Sequence, residues 1–289
     1  MSNKPRPKVA APEWRFEAIG TQWYIAAPLS KGIQRQIERR IEAFDRTYSR
    51  FRSDSLVARI AEKAGTYRFP EDAAKLFDFY YRLYKATNGL CTPLIGQTLE
   101  QAGYDAEYSL QPKQVTHPPE WDDTMEFMPP KLTTHAPVTL DFGAAGKGYL
   151  VDIIGEVFES KGISGYFINA GGDVLSKGKE TTMLLESPDD TSMALGQVKV
   201  LGGALCGSSG NRRKWGGFTH IINPHSLASP TDTRAVWVQA KSCMVADGLA
   251  TALFFVSPRA LLKEFDFAYA IIKEGNLEYS HNFNAEWYT

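Results

Sequence analysis

Between Leu140 and Asp152 the chain reads LDFGAAGKGYLVD, with three glycines and a lysine between two aspartates. Glycines at the mouth of a helix let backbone N–H groups approach a guest closely, and phosphate is the usual guest. Two familiar phosphate motifs can be compared with it. Gly143, Gly146 and Gly148 run G-x-x-G-x-G, the reverse of the dinucleotide fingerprint. A P-loop needs glycine five residues before its G-K pair and Ser or Thr after the lysine, and Asp141 and Gly148 hold those places. Neither motif fits.

Three further stretches carry groups capable of chemistry. In CMVADGLATALFFV, Asp247 and Thr251 are four apart, so on a helix their oxygens share a face. A carboxylate and a hydroxyl suit a hard cation such as Mg²⁺, which favours phosphate as a co-ligand. The alternative is a capping Asp247 and a Thr251 bonded back to the preceding turn. In FINAGGDV, Gly171-Gly172 before Asp173 reads as an anion-binding nest or as a plain hairpin turn. CGSSGNRRKW followed by THIINPHS offers Ser208, Ser209, Asn211, Arg212 and Arg213 as donors. His220 there is either a structural residue or a catalyst. The chain has no G-x-S-x-G elbow, H-E-x-x-H or C-x-x-C, which leaves serine hydrolysis and zinc chemistry without support.

The elements that must position these groups are partly legible. Ile33, Ile37, Ile41, Phe44 and Tyr48 share one face of an amphipathic helix. A second helix is predicted over roughly 72–87, where Leu76, Phe79, Tyr80 and Leu83 align and Asn88-Gly89 supplies the stop. WRFEAIGTQWYIAA alternates around Gly20-Thr21 as a hairpin does. Residues 104–136, with VTHPPEWDD and MPPK, read as loop with short strands, an insertion or a lobe boundary. From 138 onward VTLDF is a strand candidate and Tyr149 to Ser160 a helix. GYFINAGGDVLSKG reads as strand, turn and strand. MLLES, QVKVLGGALCG, THIINP, AVWVQA and YAIIK are further strand candidates, and VADGLATALFFV is a buried helix. Early helices and later antiparallel-looking strands, with one βα unit between, predict an α+β fold.

Bulk properties narrow the classes. The 289 residues carry 32 Lys+Arg against 33 Asp+Glu, a net charge of −1 that gives no electrostatic argument for nucleic acid or anionic membrane. Hydrophobic residues make up 43%, which excludes a disordered chain. Cys91, Cys206 and Cys243 lack metal-ligand spacing and read as buried thiols in a reducing compartment. Residues 1–12, rich in Pro, Lys and Ala, read as a flexible tail. No run approaches the ~18 apolar residues of a membrane span, and MSNKPRPKVAAPEWRF lacks the apolar core of a signal peptide. A cytoplasmic location is the expectation.

Taken in order, the motifs resemble those of the FAD:protein FMN transferases, the ApbE family. The family's D-x-G-x-x-x-K-G-Y-x-x-D turn is seen as DFGAAGKGYLVD, and its G-G-D turn as AGGDV. Its S-G segment followed by H-I-I-D-P is seen as SSGN and HIINP, and its A-D-A-L-x-T-A as ADGLATA. Upstream, AIGTQWYI, SRFRSDSLVARI and TNGLCTPLIG resemble its M-G-T, S-x-Y-x-x-x-S and G-G-x-F-D-P segments. The resemblance runs from about residue 16 to 270. It implies a single α+β domain over 13–289, of two tightly joined lobes with mixed or antiparallel sheets and flanking helices.

The resemblance also implies a site and a reaction. The glycine turn and the ADGLATA helix would face each other across the pyrophosphate of FAD, with Mg²⁺ between them. The carbonyls of Ala144 and Ala250, the Asp247 carboxylate and the Thr251 hydroxyl would hold the metal. Asp141 and Lys147 would contact FAD, and Ile19, Phe51, Leu90, Cys91, Thr92 and Ile222 would line its ring pockets. FMN would pass to a threonine hydroxyl in the flavinylation motif of an acceptor protein, releasing AMP. Asp247 and His220 would be the catalytic residues. FAD hydrolysis to FMN and AMP, or FAD delivery without turnover, are the alternative activities. Departures from the family pattern are Ile19 for Met, Phe51 for Tyr, Cys91-Thr92 for Phe-Asp, Asn223 for Asp and Gly248 for Ala. The last is expected to loosen its helix slightly. No acceptor-type motif is present in the chain itself.

Overall fold

The computed structural model describes residues 12–210 and 213–288. The tail expected over 1–12 lies, but for Pro12, outside them, as do Asn211 and Arg212.

Eight strands form the main sheet: β1 (Glu13–Ala18), β2 (Thr21–Ala26), β3 (Tyr166–Ala170), β4 (Asp173–Lys177), β5 (Gly203–Ser209), β6 (Thr233–Ala240), β7 (Ala268–Lys273) and β8 (Asn276–Tyr279). They hydrogen-bond in that order, each pair antiparallel, so the sheet follows the chain. Alternation of side chains builds two cores. Leu175, Ala204, Cys206, Val236 and Val238 face one way; Val174, Leu205, Ala235 and Trp237 face the other. A three-stranded sheet of Thr181–Glu186, Ala194–Val200 and Ala285–Trp287 covers the second face through Leu185, Val198 and Val200.

Helices cover the first face. α1 (Lys31–Tyr48) buries Ile37, Phe44 and Tyr48, and the Ser30 hydroxyl accepts the Ile33 N–H at its start. α2 (Ala73–Ala86) buries Leu76, Phe79, Tyr80 and Leu83. α3 (Gly146–Glu159) and α4 (Cys243–Ala252) lie against the sheet itself, where Ile154 and Leu249 share the cluster that holds Ile168, Cys206 and Val236. That one apolar cluster runs from Trp23 in β2 through α1, α2, α3 and α4. The α+β expectation holds, with the sheets antiparallel.

Two predicted strands are absent. Residues 138–142, VTLDF, are buried and irregular, because their N–H groups go to loops: Val138 N donates to Ile60 O and Asp141 N to Pro93 O. The glycine turn therefore does not follow a strand. THIINP contributes only Thr219 to the two-residue strand Phe218–Thr219; its next turn is organised by the Thr219 and Ser229 hydroxyls. QVKVLGGALCG is two strands of different sheets, Ala194–Val200 and β5. Residues 104–136 divide in two. The stretch 105–120 has no regular element, while Lys131–Thr134 pairs with Met125–Met128 on one side and Gly65–Arg68 on the other, making that part integral to the fold.

Candidate functional site

A cleft of 570 Å³ opens where α1, α3, α4 and the β1–β2 turn meet. Ile19, Phe51, Leu90, Cys91, Thr92, Asp141, Ala144, Lys147, His220, Ile222, Asp247 and Thr251 all line it. Ala250 does not: it is buried in the helix interface. Twelve of the thirteen site residues implied by the resemblance therefore converge on one cavity from six separate stretches of chain.

The glycine turn is closed by its own aspartate. The Asp141 carboxylate accepts the Gly143 N–H at 2.7 Å and pairs with Arg50 Nε at 2.5 Å, both side chains being buried. The Ala145 N–H donates to the Tyr80 hydroxyl at 3.1 Å, in full burial that holds the phenol well above its ordinary pKa. These ties fix the loop before α3 starts.

The start of α4 is capped without Asp247. The Ser242 hydroxyl accepts the Val245 N–H, and Asp152 accepts from the Ser242 hydroxyl at 2.6 Å and from the N–H groups of Cys243 and Met244 at 2.9 Å each. The final aspartate of LDFGAAGKGYLVD is thus the cap of the other motif's helix. Asp247, freed from capping, sits in mid-helix and accepts the Gly148 N–H at 2.8 Å. Burial pushes its carboxyl pKa up, with the Lys147 charge and the Gly148 N–H pulling the other way. The Thr251 hydroxyl has no hydrogen bond among the described residues, so the back-bonded alternative is not what the structure adopts.

Close packing of α4 against α3 on one side and α2 on the other explains two glycines. A Cβ on Gly148 would stand 2.3 Å from the Cys243 carbonyl oxygen. One on Gly248 would stand 2.4 Å from a ring carbon of Phe79. The departure at Gly248 is therefore a packing match to the Phe79 ring.

The AGGDV stretch is the hairpin turn between β3 and β4. Gly171 and Gly172 take φ of +61° and +104°, and the Asn169 side chain accepts the Gly172 N–H at 2.9 Å. Asp173, 1% exposed, forms an ion pair with Lys147. The lysine expected to contact a ligand thus stands among two buried carboxylates, Asp173 and Asp247. Ile19 and Gly20 make the β1–β2 turn with φ of 43° and 72°. Cys91 is buried, which pushes its thiol up to about 12, and its N–H donates to the Thr87 hydroxyl. His220 lies on irregular chain beside Ile221 and Ile222, not in a strand.

Sequence reasoning missed Arg50, Tyr104 and Tyr108, which line the same cleft. Arg50 looked like one of several arginines near a helix end. Tyr104 and Tyr108 fall in the stretch with no periodic signal.

The sequence model of the ApbE family matches residues 19–270. An FAD:protein FMN transferase of Klebsiella pneumoniae is 24% identical over 303 residues, spanning 91% of this chain and 82% of its own length. One from Vibrio cholerae is 26% identical over 247 residues, 78% of this chain and 73% of its own. Among solved structures, the flavin transferase ApbE from Vibrio cholerae superposes with a TM-score of 0.78 at 20% identity, covering 94% of this chain and 97% of its own. The ApbE protein of Thermotoga maritima gives 0.82 at 21% identity, with the same coverage. With 19–270 matched and the motif residues gathered around one cleft, the chain belongs to the ApbE family.

Proposed function

We propose that the protein transfers FMN from FAD to a threonine hydroxyl of an acceptor protein and releases AMP, with Mg²⁺ in the cleft. The observation that carries this is the placement of Asp247: buried, mid-helix, uninvolved in capping and fixed against the glycine turn by the Gly148 N–H. The relatives named above as FAD:protein FMN transferases support the same reaction.

The donors fit a metal shared with a substrate. Among the described residues no group of three or more His, Cys, Asp or Glu forms a metal cage. Asp247, the Thr251 hydroxyl and the Ala144 carbonyl line the cleft and would hold the metal with positions left for phosphate oxygens, as Mg²⁺ prefers, while Ala250 lies outside the cleft lining. When bound, Mg²⁺ supplies charge neutralisation on the pyrophosphate. Lys147 adds a cation beside the same pole, held by Asp173. Asp141 keeps the Gly143 N–H oriented and Arg50 in place. The acceptor oxygen attacks the FMN phosphorus, the P–O bond to AMP breaks, and Asp247 takes up the hydroxyl proton as His220 orients the acceptor. Positioning and electrostatics do most of such work. Free, unbridged Cys206 and Cys243, 3.5 Å apart, support a reducing, cytoplasmic setting. No helix among the described residues is long and apolar enough to cross a membrane.

The test mixes the protein with FAD, Mg²⁺ and an acceptor domain, reading covalent flavin by in-gel fluorescence and AMP by chromatography. Equal AMP and bound flavin supports transfer; AMP alone means hydrolysis; neither, with FAD retained, means a carrier. Asp247→Ala is expected to abolish transfer, and an Asp247→Ala protein of full activity ends the proposal.

A further inference from the structure

The cleft wall also carries three aromatic rings and two guanidinium groups. Tyr108 stacks on Phe51 with centroids 5.4 Å apart and planes within 10°, and Tyr104 meets each edge-on at 5.5 Å. The Arg50 guanidinium lies 4.2 Å from the Phe51 centroid and 5.0 Å from that of Tyr104, and Arg213 lies 5.6 Å from Tyr104.

Two features mark this cluster as built for a ligand. Tyr108 is 50% exposed while stacked, and its backbone is left-handed at φ 51°, a region costly for a bulky residue. The loop is pinned there. Asp105 accepts from the Ser109 N–H and hydroxyl at 2.8 and 2.5 Å, and Leu110 N donates to Gly103 O at 2.9 Å. The second feature is Arg50. Its side chain is 3% exposed, Nε is paired with Asp141, and neither Nη atom has a hydrogen-bond acceptor among the described residues. Glu100 stands 3.7 Å from Nη1, beyond hydrogen-bond reach. Buried charged donors without acceptors are costly, and a ligand that brings acceptors relieves the cost.

The chemistry of that ligand follows from the donors. An arginine fork matches two adjacent acceptors, as on the O6/N7 edge of guanine, whereas adenine presents an amino donor beside each edge acceptor and calls for Asn or Gln. Oxidised isoalloxazine carries adjacent acceptor pairs, N1 with O2 and N5 with O4. We infer that Tyr108 and Arg50 are specificity-determining residues that hold the flavin half of the dinucleotide, with Tyr108 supplying the stacking face and Arg50 the paired donors. This rests on the FAD reading above.

The test measures the two halves separately, as equilibrium binding of FMN and of ADP with Mg²⁺, to the unaltered protein, Tyr108→Ala and Arg50→Lys. Tyr108 is a surface residue, so its variant folds; Arg50→Lys keeps the charge opposite Asp141. Each variant is expected to weaken FMN about tenfold, on the scale of one aromatic stack or one hydrogen-bond pair, and to leave ADP within about twofold. Unchanged FMN binding in both variants, or an equal loss of ADP binding, overturns the inference and leaves transfer itself standing. Uptake of neither half by the unaltered protein overturns the inference and the transferase reading together.

Discussion

Gly148 and Asp247, 99 residues apart in sequence, are joined by one N–H to carboxylate hydrogen bond of 2.8 Å. The bond needs α3 and α4 nearly in backbone contact. Only a residue without Cβ permits that, since a methyl there would meet the Cys243 carbonyl at 2.3 Å and the Asp247 Cβ at 2.8 Å. Gly148→Ala is accordingly expected to push the helices apart, costing roughly 1–3 kcal/mol as overpacking does. Denaturant unfolding checks the stability. A Mg²⁺ titration of transfer should show the metal requirement displaced upward.

Gly248→Ala poses a contest. Helix propensity favours alanine by about 1 kcal/mol, but the new methyl would stand 2.4 Å from the Phe79 ring. Phe79 is 2% exposed and packed against Phe265 and Tyr80, so it has little room to yield. The clash is expected to win, lowering Tm by a few degrees. Gly248→Ala combined with Phe79→Leu should recover most of that loss, and differential scanning of the two proteins decides.

Asp141→Asn removes the charge opposite Arg50 in a site where the two side chains are 10% and 3% exposed. A buried cation without its partner costs about 3 kcal/mol or more. The expected result is a large drop in the urea midpoint with little change in m-value. Removing both charges with Arg50→Met and Asp141→Asn should restore part of the stability, as a double-mutant cycle would show.

Alkali should destabilise the fold earlier than it damages the chain. Burial pushes the Cys91 thiol and the Tyr104 phenol each up to about 12, and raises Cys206 and Cys243 as well. Above about pH 8.5 the unfolded chain sheds thiol protons that the folded chain retains. The folded state then binds more protons, and stability falls as pH rises. The stabilising difference is fully present below that pH and declines toward pH 12. Tm between pH 7 and 11 measures it. The same burial predicts that a disulfide reagent at pH 8 titrates none of the three thiols in the native protein and all three after unfolding.

Legibility from sequence followed periodicity and failed where partners are remote. α1 was readable because Ile33, Ile37 and Phe44 repeat at helical spacing, and β6 because AVWVQA is short, apolar and β-branched. VTLDF has the same local signal as a strand, but its N–H groups are taken by Ile60 and Pro93, and no local rule reports that. The two aspartates of the glycine motif were visible as residues and not as devices. Asp152 turned out to cap a helix that starts at Cys243, and Asp141 to hold Arg50. The Lys147–Asp173 pair joins two motifs that look independent on paper. Tyr108 left no trace, because an irregular loop carries neither period and its value comes from where the ring lands.

The sheet pairs its strands in the order of translation, yet residues 27–165 intervene between β2 and β3. While the ribosome works through them, the backbone edge of Thr21–Ala26 stays open until Tyr166–Ala170 emerges. Asp247 emerges later still. A nascent or prematurely ended polypeptide therefore owns the glycine turn without the carboxylate that faces it.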